Sequence, residues 1–139
     1  MPTAVRSAAT SLILAGALAM AACGENGSDA DQAAESGATP AKAIEEIGAT
    51  EAALDEAVAA VRAGDRDQAH EILSEAYVEH FEQVEGPLGK VDHELNEELE
   101  EAISGKLRRQ VKSGGSAAGF ARSVADVKRD LAAAEEKLG

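Results

Sequence analysis

The sequence predicts an all-α fold: an antiparallel up-down-up-down four-helix bundle that follows an export signal and a flexible tether. Three observations predict it. From Pro40 onward, apolar residues recur at helical spacing in four runs separated by short breaks. No segment alternates apolar and polar residues over the length of a strand. The breaks are short, which makes successive helices antiparallel neighbours.

The first helix opens at Thr39-Pro40, an N-cap followed by proline in the first turn. Ile44, Ile47, Leu54, Val58 and Val61 form its stripe, and Gly64 stops it. Gly48 and Thr50 weaken its start. Asp65 caps the second helix, whose stripe is Ala69, Ile72, Leu73, Ala76, Tyr77, Phe81 and Val84. The "GPLG" run at 86–89 is expected to end it, because Gly and Pro both punctuate helices. The third helix runs from about Val91 to Lys112 on Val91, Leu95, Leu99, Ala102, Ile103, Leu107 and Val111. After "SGGS" at 113–116, Ser116 caps a fourth helix with Ala117, Phe120, Val124, Val127, Leu131, Ala134 and Leu138 in line. Residues 40–139 thus form the bundle domain. There is no convincing internal repeat: "AVRAGDRDQAHEIL" has the look of a tetratricopeptide turn but occurs once.

The segment before the bundle reads differently. Arg6 supplies a positive start and Leu12 to Ala22 an apolar stretch, far short of the ~20 residues that span a bilayer. Residues 1–22 read as an export signal. Small residues Ala21 and Ala22 precede Cys23, which resembles the bacterial lipoprotein signal, with Met20 standing where that pattern prefers Leu. The resemblance implies a lipidated Cys23 and attachment to the outer face of the cell membrane. Residues 23–39 are small, polar and acidic, the composition of a flexible linker.

Composition narrows the function classes. The chain has 13 Lys and Arg against 26 Asp and Glu, a net charge of −13. Such a surface repels nucleic acid and anionic lipid heads and attracts cations or basic protein patches. One Tyr, two Phe and no Trp leave no stacking platform for bases or sugars. With a single cysteine, no intramolecular disulfide and no cysteine metal cage can form. No nucleophile-base pair or phosphate-binding glycine loop can be argued from spacing, so a non-enzyme is expected.

The richest stretch is "EAYVEHFEQVEGPLGKVDHELNEELEEAI", residues 75–103. Folding it about "GPLG" places Glu82 and Glu85 near the tip, opposite Lys90, Asp92 and His93. Glu82 and Glu85 are three apart and share a helical face. Glu98 and Glu101 form another such pair, and Glu94, Glu97 and Glu101 a ridge. Carboxylates at this spacing on facing helices build oxygen-rich metal sites in bundles. A hard ion such as ferric iron suits them, and histidine can complete a ferrous or zinc shell. Neither "EHFE" nor "DHEL" supplies the Glu-x-x-His spacing of a diiron centre, and His70 and His80 are ten apart, unlike a zinc protease. The plain alternative is a solvated acidic face: Glu and Lys are good helix formers. In that case Glu82 or Glu85 pairs with Lys90, Arg108 and Arg109 pair with Asp65 and Asp67, His70 is a surface residue, His80 edges the core, and Tyr77 packs with its hydroxyl at the rim.

Over about residues 44 to 139 the sequence resembles the extracytoplasmic helical domain found beside bacterial high-affinity iron permeases of the oxidase-dependent iron transporter type. The matching residues are Gly64-Asp65, Ala76-Tyr77, Phe81-Glu82 with Glu85, Leu88, Leu99-Glu100, Leu107-Arg108 and Gly114. The fourth helix resembles the one that follows in that domain. The chain lacks permease helices and an intramembrane glutamate motif. The resemblance therefore implies a detached, lipid-anchored form that captures or delivers iron, or docks on an iron permease. It implies Glu82 and Glu85 as metal ligands, with Glu100, Glu101 and His93 beside them, and Tyr77 and Phe81 as packing or partner residues. A second expectation is an acidic helical module that docks on a membrane partner without metal.

Overall fold

The computed structural model describes residues 37–139. The expectations for the signal segment, for Cys23 and for the linker up to residue 36 lie outside the described residues. The described chain is an all-α bundle of four helical rods. The first is α1 (Pro40–Ala63). The second joins α2 (Arg66–Glu75), a π-helical segment (Ala76–Phe81) and α3 (Glu82–Val91) end to end. The third joins α4 (His93–Glu100), a second π-helical segment (Glu101–Leu107) and α5 (Arg108–Ser113). The fourth is α6 (Ala117–Leu138).

Local chemistry sets the ends. Thr39 caps α1, accepting from the Lys42 amide at 3.2 Å, and Pro40 stands in the first turn. Gly64 ends α1 at φ 85°, a left-handed conformation that costs other residues about 1–2 kcal/mol. Asp65 and Ser116 cap α2 and α6 through the amides of Gln68 (3.0 Å) and Gly119 (3.1 Å). The Arg66 guanidinium donates to the carbonyls of Val111 (3.1 Å) and Gly115 (2.7 Å), tying the start of the second rod to the end of the third.

One connection differs from expectation. "GPLG" does not end the second helix: Gly86, Pro87, Leu88 and Gly89 all lie inside α3. The break falls at Asp92 (φ −153°), whose carboxylate caps α4 through the Leu95 amide at 3.1 Å. An interior proline costs roughly 3 kcal/mol. Here both Pro87 and Leu88 are buried, and burying two such side chains offsets about that much. Val91 accordingly belongs to the second rod and is 56% exposed, not part of the third helix's stripe.

The π segments follow from the spacing of the apolar residues. In the second rod, buried Ala76 and Phe81 are five apart. In an α-helix five residues overshoot one turn by roughly 140°, so both could not face the core. A π turn holds more residues and brings them into line. In the third rod, Leu99, Ile103, Leu107 and Val111 repeat every four residues and would drift by about 40° per step on a pure α-helix. The second π segment absorbs that drift.

The core is filled by Phe81, Phe120, Ile47, Leu54, Leu73, Leu88, Leu99, Ile103, Leu107 and Leu131, with valines and alanines between them. The first rod packs on the second and on α6, α2 lies against α5, α3 lies against α4, and α6 contacts α3, α4 and the second π segment. No helix among the described residues is long and apolar enough to cross a membrane.

Candidate functional site

The position of the break decides where the carboxylates meet. With the turn at Asp92, Glu85 lies seven residues before it and Glu100 eight residues after it. Glu85 therefore lies on the side of Glu100, whose charge acts on it. This corrects the expectation of a site at the hairpin tip: the carboxylates sit about two turns in from it, where α3 passes α4.

Tyr77, in the first π segment, donates its hydroxyl to Glu85 Oε1 at 2.8 Å. Its ring packs on Phe81 with centroids 6.1 Å apart, and Phe81 is wholly buried, so the phenol is held from below. Burial pushes the Glu85 carboxyl above its ordinary value of 4.5, and the neighbouring Glu100 and Glu82 push it further. The Tyr77 hydrogen bond acts in the opposite direction. Burial, then the bond to Glu85 and the charges of Glu85, Glu100 and Glu82, push the Tyr77 hydroxyl well above its usual range, so it remains a donor. Glu82 and Glu100 are exposed and Glu85 is half-buried.

The other two candidates stand apart. Glu101 Oε1 takes the Arg109 guanidinium at 2.6 Å, which holds its carboxyl below the usual carboxylate range. His93 Nε2 is 3.3 Å from Glu97 Oε1, both well exposed. The structure thus brings together Glu82, Glu85, Glu100 and Tyr77, and leaves Glu101 and His93 outside. Among the described residues, no group of three or more His, Cys, Asp or Glu side chains is arranged to hold a metal ion. The Arg109–Glu101 pair also replaces the expected pairing of Arg109 with Asp65 or Asp67.

Three polar features escaped the sequence. Glu46 is 7% exposed and is gripped by Lys42 Nζ and by His80 Nδ1, each at 2.7 Å. The Lys42 bond first, then His80, hold its carboxyl below the ordinary value. The four-residue spacing of Lys42 and Glu46 was a visible signal; the distant His80 was not. Asn96 is buried in α4, and its Oδ1 has no hydrogen-bond partner. His70, read as a surface residue, has a buried Nε2 without a partner. Burial, then the nearby Lys112 and Arg108, disfavour its cationic form.

Chemically, the groups that act on Glu85 are oxygen donors, the kind hard cations prefer, but they are not gathered into a metal-holding cluster. Comparison with protein-family models, with curated proteins and with solved structures gave no match.

Proposed function

We propose that this chain is a lipid-anchored extracytoplasmic helical protein that binds iron, or a similar cation, and helps deliver it at the membrane as an accessory to metal uptake. The observation that carries the reading is Glu85, half-buried, hydrogen-bonded by Tyr77 and crowded by Glu82 and Glu100. A bound cation would relieve that crowding. Exposed Glu82 and Glu100 would let it enter, and the net charge of −13 would raise its local concentration. Anchoring through Cys23 and docking on an iron permease belong to the same proposal and rest on the residue resemblance. The up-down-up-down course of the rods also belongs to it; it rests on the short connections, and the packing of α2 on α5 and α3 on α4 supports it. Isothermal titration with ferrous and ferric iron tests the core of it. The wild type should give saturable heat that the double variant Glu82→Gln/Glu85→Gln lacks. Equal heats would remove the site.

A second reading has a specific observation in its favour. Val78 is 58% exposed and Val91 56% exposed, both on the second rod. Val78 borders a groove of about 350 Å³ that Glu82, Gln83 and Pro87 also line. An exposed valine beside the Glu82 carboxylate would suit a basic, partly apolar surface of a membrane protein. Capture of such a partner that is lost in high salt but indifferent to chelator would favour this reading over cation binding.

A further inference from the structure

The negative total conceals an uneven distribution of charge. Residues 102–125 hold Lys106, Arg108, Arg109, Lys112 and Arg122, and neither Asp nor Glu. They run through the second half of the third rod and into α6.

Part of this basic run meets the second rod. The Arg66 guanidinium, at the start of α2, is fixed on the carbonyls of Val111 and Gly115 at 3.1 and 2.7 Å. Those bonds hold a planar charge against the end of α5 and leave it N–H groups to spare. Beside it lies a hollow of about 480 Å³ lined by Arg66, Asp67, His70, Val111 and Lys112. Arg108 stands close enough that its charge, like that of Lys112, acts on His70. Three cations from two rods thus gather around one hollow, against the single carboxylate of Asp67.

Two of these cations have gone without acidic partners. In a chain with 26 acids to 13 bases an arginine or lysine has ready partners, and Arg109 has taken Glu101. Among the described residues neither Arg108 nor Lys112 forms an ion pair. Asp67 lines the same hollow yet pairs with neither, and Asp65 spends its carboxylate on the Gln68 amide. Like charges gathered in this way repel one another. The hollow also borders a polar group without a partner, the buried Nε2 of His70. A doubly charged anion would relieve the repulsion, and a further cation would worsen it.

We propose that the hollow between α2 and α5 binds a phosphate group through Arg66, Arg108 and Lys112. The recognising chemistry is the same whether the group is carried on a lipid head or is free phosphate. Its oxygens accept from guanidinium and ammonium groups together, in charge-assisted bonds. The phosphate site is independent of the cation-binding reading above. On lipid heads it would lay this end of the bundle against an anionic membrane surface, a contact that the net charge alone would disfavour.

His70 reports on the site. Burial first, then Lys112 and Arg108, disfavour its cationic form, while Asp67 acts the other way. An anion in the hollow opposes the two cations, so His70 should take its proton at higher pH when phosphate replaces chloride at constant ionic strength. Proton NMR of the ring follows this. His80 and His93, each beside a glutamate elsewhere, should not move. Arg108→Gln/Lys112→Gln should weaken the phosphate midpoint by about tenfold. Lys106→Gln/Arg122→Gln, which removes the same charge outside the hollow, should leave it nearly unchanged. Circular dichroism checks each fold, and Lys112→Gln alone, at an exposed position, keeps the test sharp if the double variant unfolds. Flotation with phosphatidylglycerol or phosphatidylcholine vesicles separates the sources, in a Cys23→Ala background so that no acyl chain contributes. A response to inorganic phosphate without flotation identifies free phosphate. Flotation on phosphatidylglycerol alone that is lost in Arg108→Gln/Lys112→Gln identifies a lipid head. Neither response, equal loss in the two double variants, or equally tight binding of acetate would overturn the site.

Discussion

Glu85 and Glu46 are both carboxylates drawn in from solvent, and their surroundings act on them in opposite senses. Burial and two like charges raise the Glu85 carboxyl. Its ionised form therefore burdens the fold above the raised value, and the burden disappears as pH falls through the ordinary value of 4.5. Glu85→Gln keeps an acceptor for Tyr77 and drops the charge. It should melt at the same or a higher temperature at pH 7, and that advantage should vanish at about pH 4. Thermal unfolding at the two pH values checks this, and a clear loss of stability at pH 7 would contradict it. Glu46 is the reverse case: Lys42 and His80 lower its carboxyl, so its contribution is complete above 4.5 and fades as pH falls through the lowered value. Both partners are partly exposed, so the exchange with water limits the gain. Glu46→Ala should cost about 1–2 kcal/mol in urea unfolding at neutral pH, and less in acid.

At the scale of the element, glycine shows how backbone conformation decides a substitution. Gly48 sits in the middle of α1, exposed, with nothing within 4 Å of an added Cβ. Gly48→Ala should stabilise the fold by about 0.5–1 kcal/mol through lost unfolded-state freedom. Gly64 is just as open, but its φ of 85° makes Gly64→Ala destabilising by about 1–2 kcal/mol. Denaturant midpoints of the two variants should move in opposite directions. The same contrast explains what could be read from the sequence. The caps Thr39, Asp65 and Ser116 and the stop at Gly64 are local signals and were legible. So were the stripes of all four rods, apart from Val91 and Ile44, which stay out of the core. The Asp92 break was not, because "GPLG" carries the stronger local signal for a stop and only the burial of Pro87 and Leu88 overrides it. That displacement moved Glu85 from the tip to a place beside Glu100. The His80 partner of Glu46 comes from another rod and has no trace in local spacing. The five-residue step from Ala76 to Phe81 was a trace of the first π segment.

At the scale of the whole molecule, charge dominates. The net charge of −13 sets like charges against one another over a small surface. Exposed pairs such as Arg109 with Glu101 and Lys128 with Asp55 return little, because water screens them. Screening should therefore stabilise the fold more than it weakens these pairs. The melting temperature should rise from low salt to about 0.15 M sodium chloride, where the screening length is near 8 Å. A fall would mean that the pairs outweigh the repulsion. The lay-out of the chain ends has a practical consequence. Gly37 and Ala38, just before α1, line the same groove as Glu82, while Lys137, at the end of α6, reaches Asp92 at 3.0 Å. The start of α1 and the end of α6 thus both lie alongside the α3–α4 hairpin. A purification tag or a surface attachment at the two ends of the bundle would lie beside the Glu82 groove and the Asp92 turn. Cation-binding measurements are best made with the handle placed at the opposite end, on the Ser113–Ser116 turn.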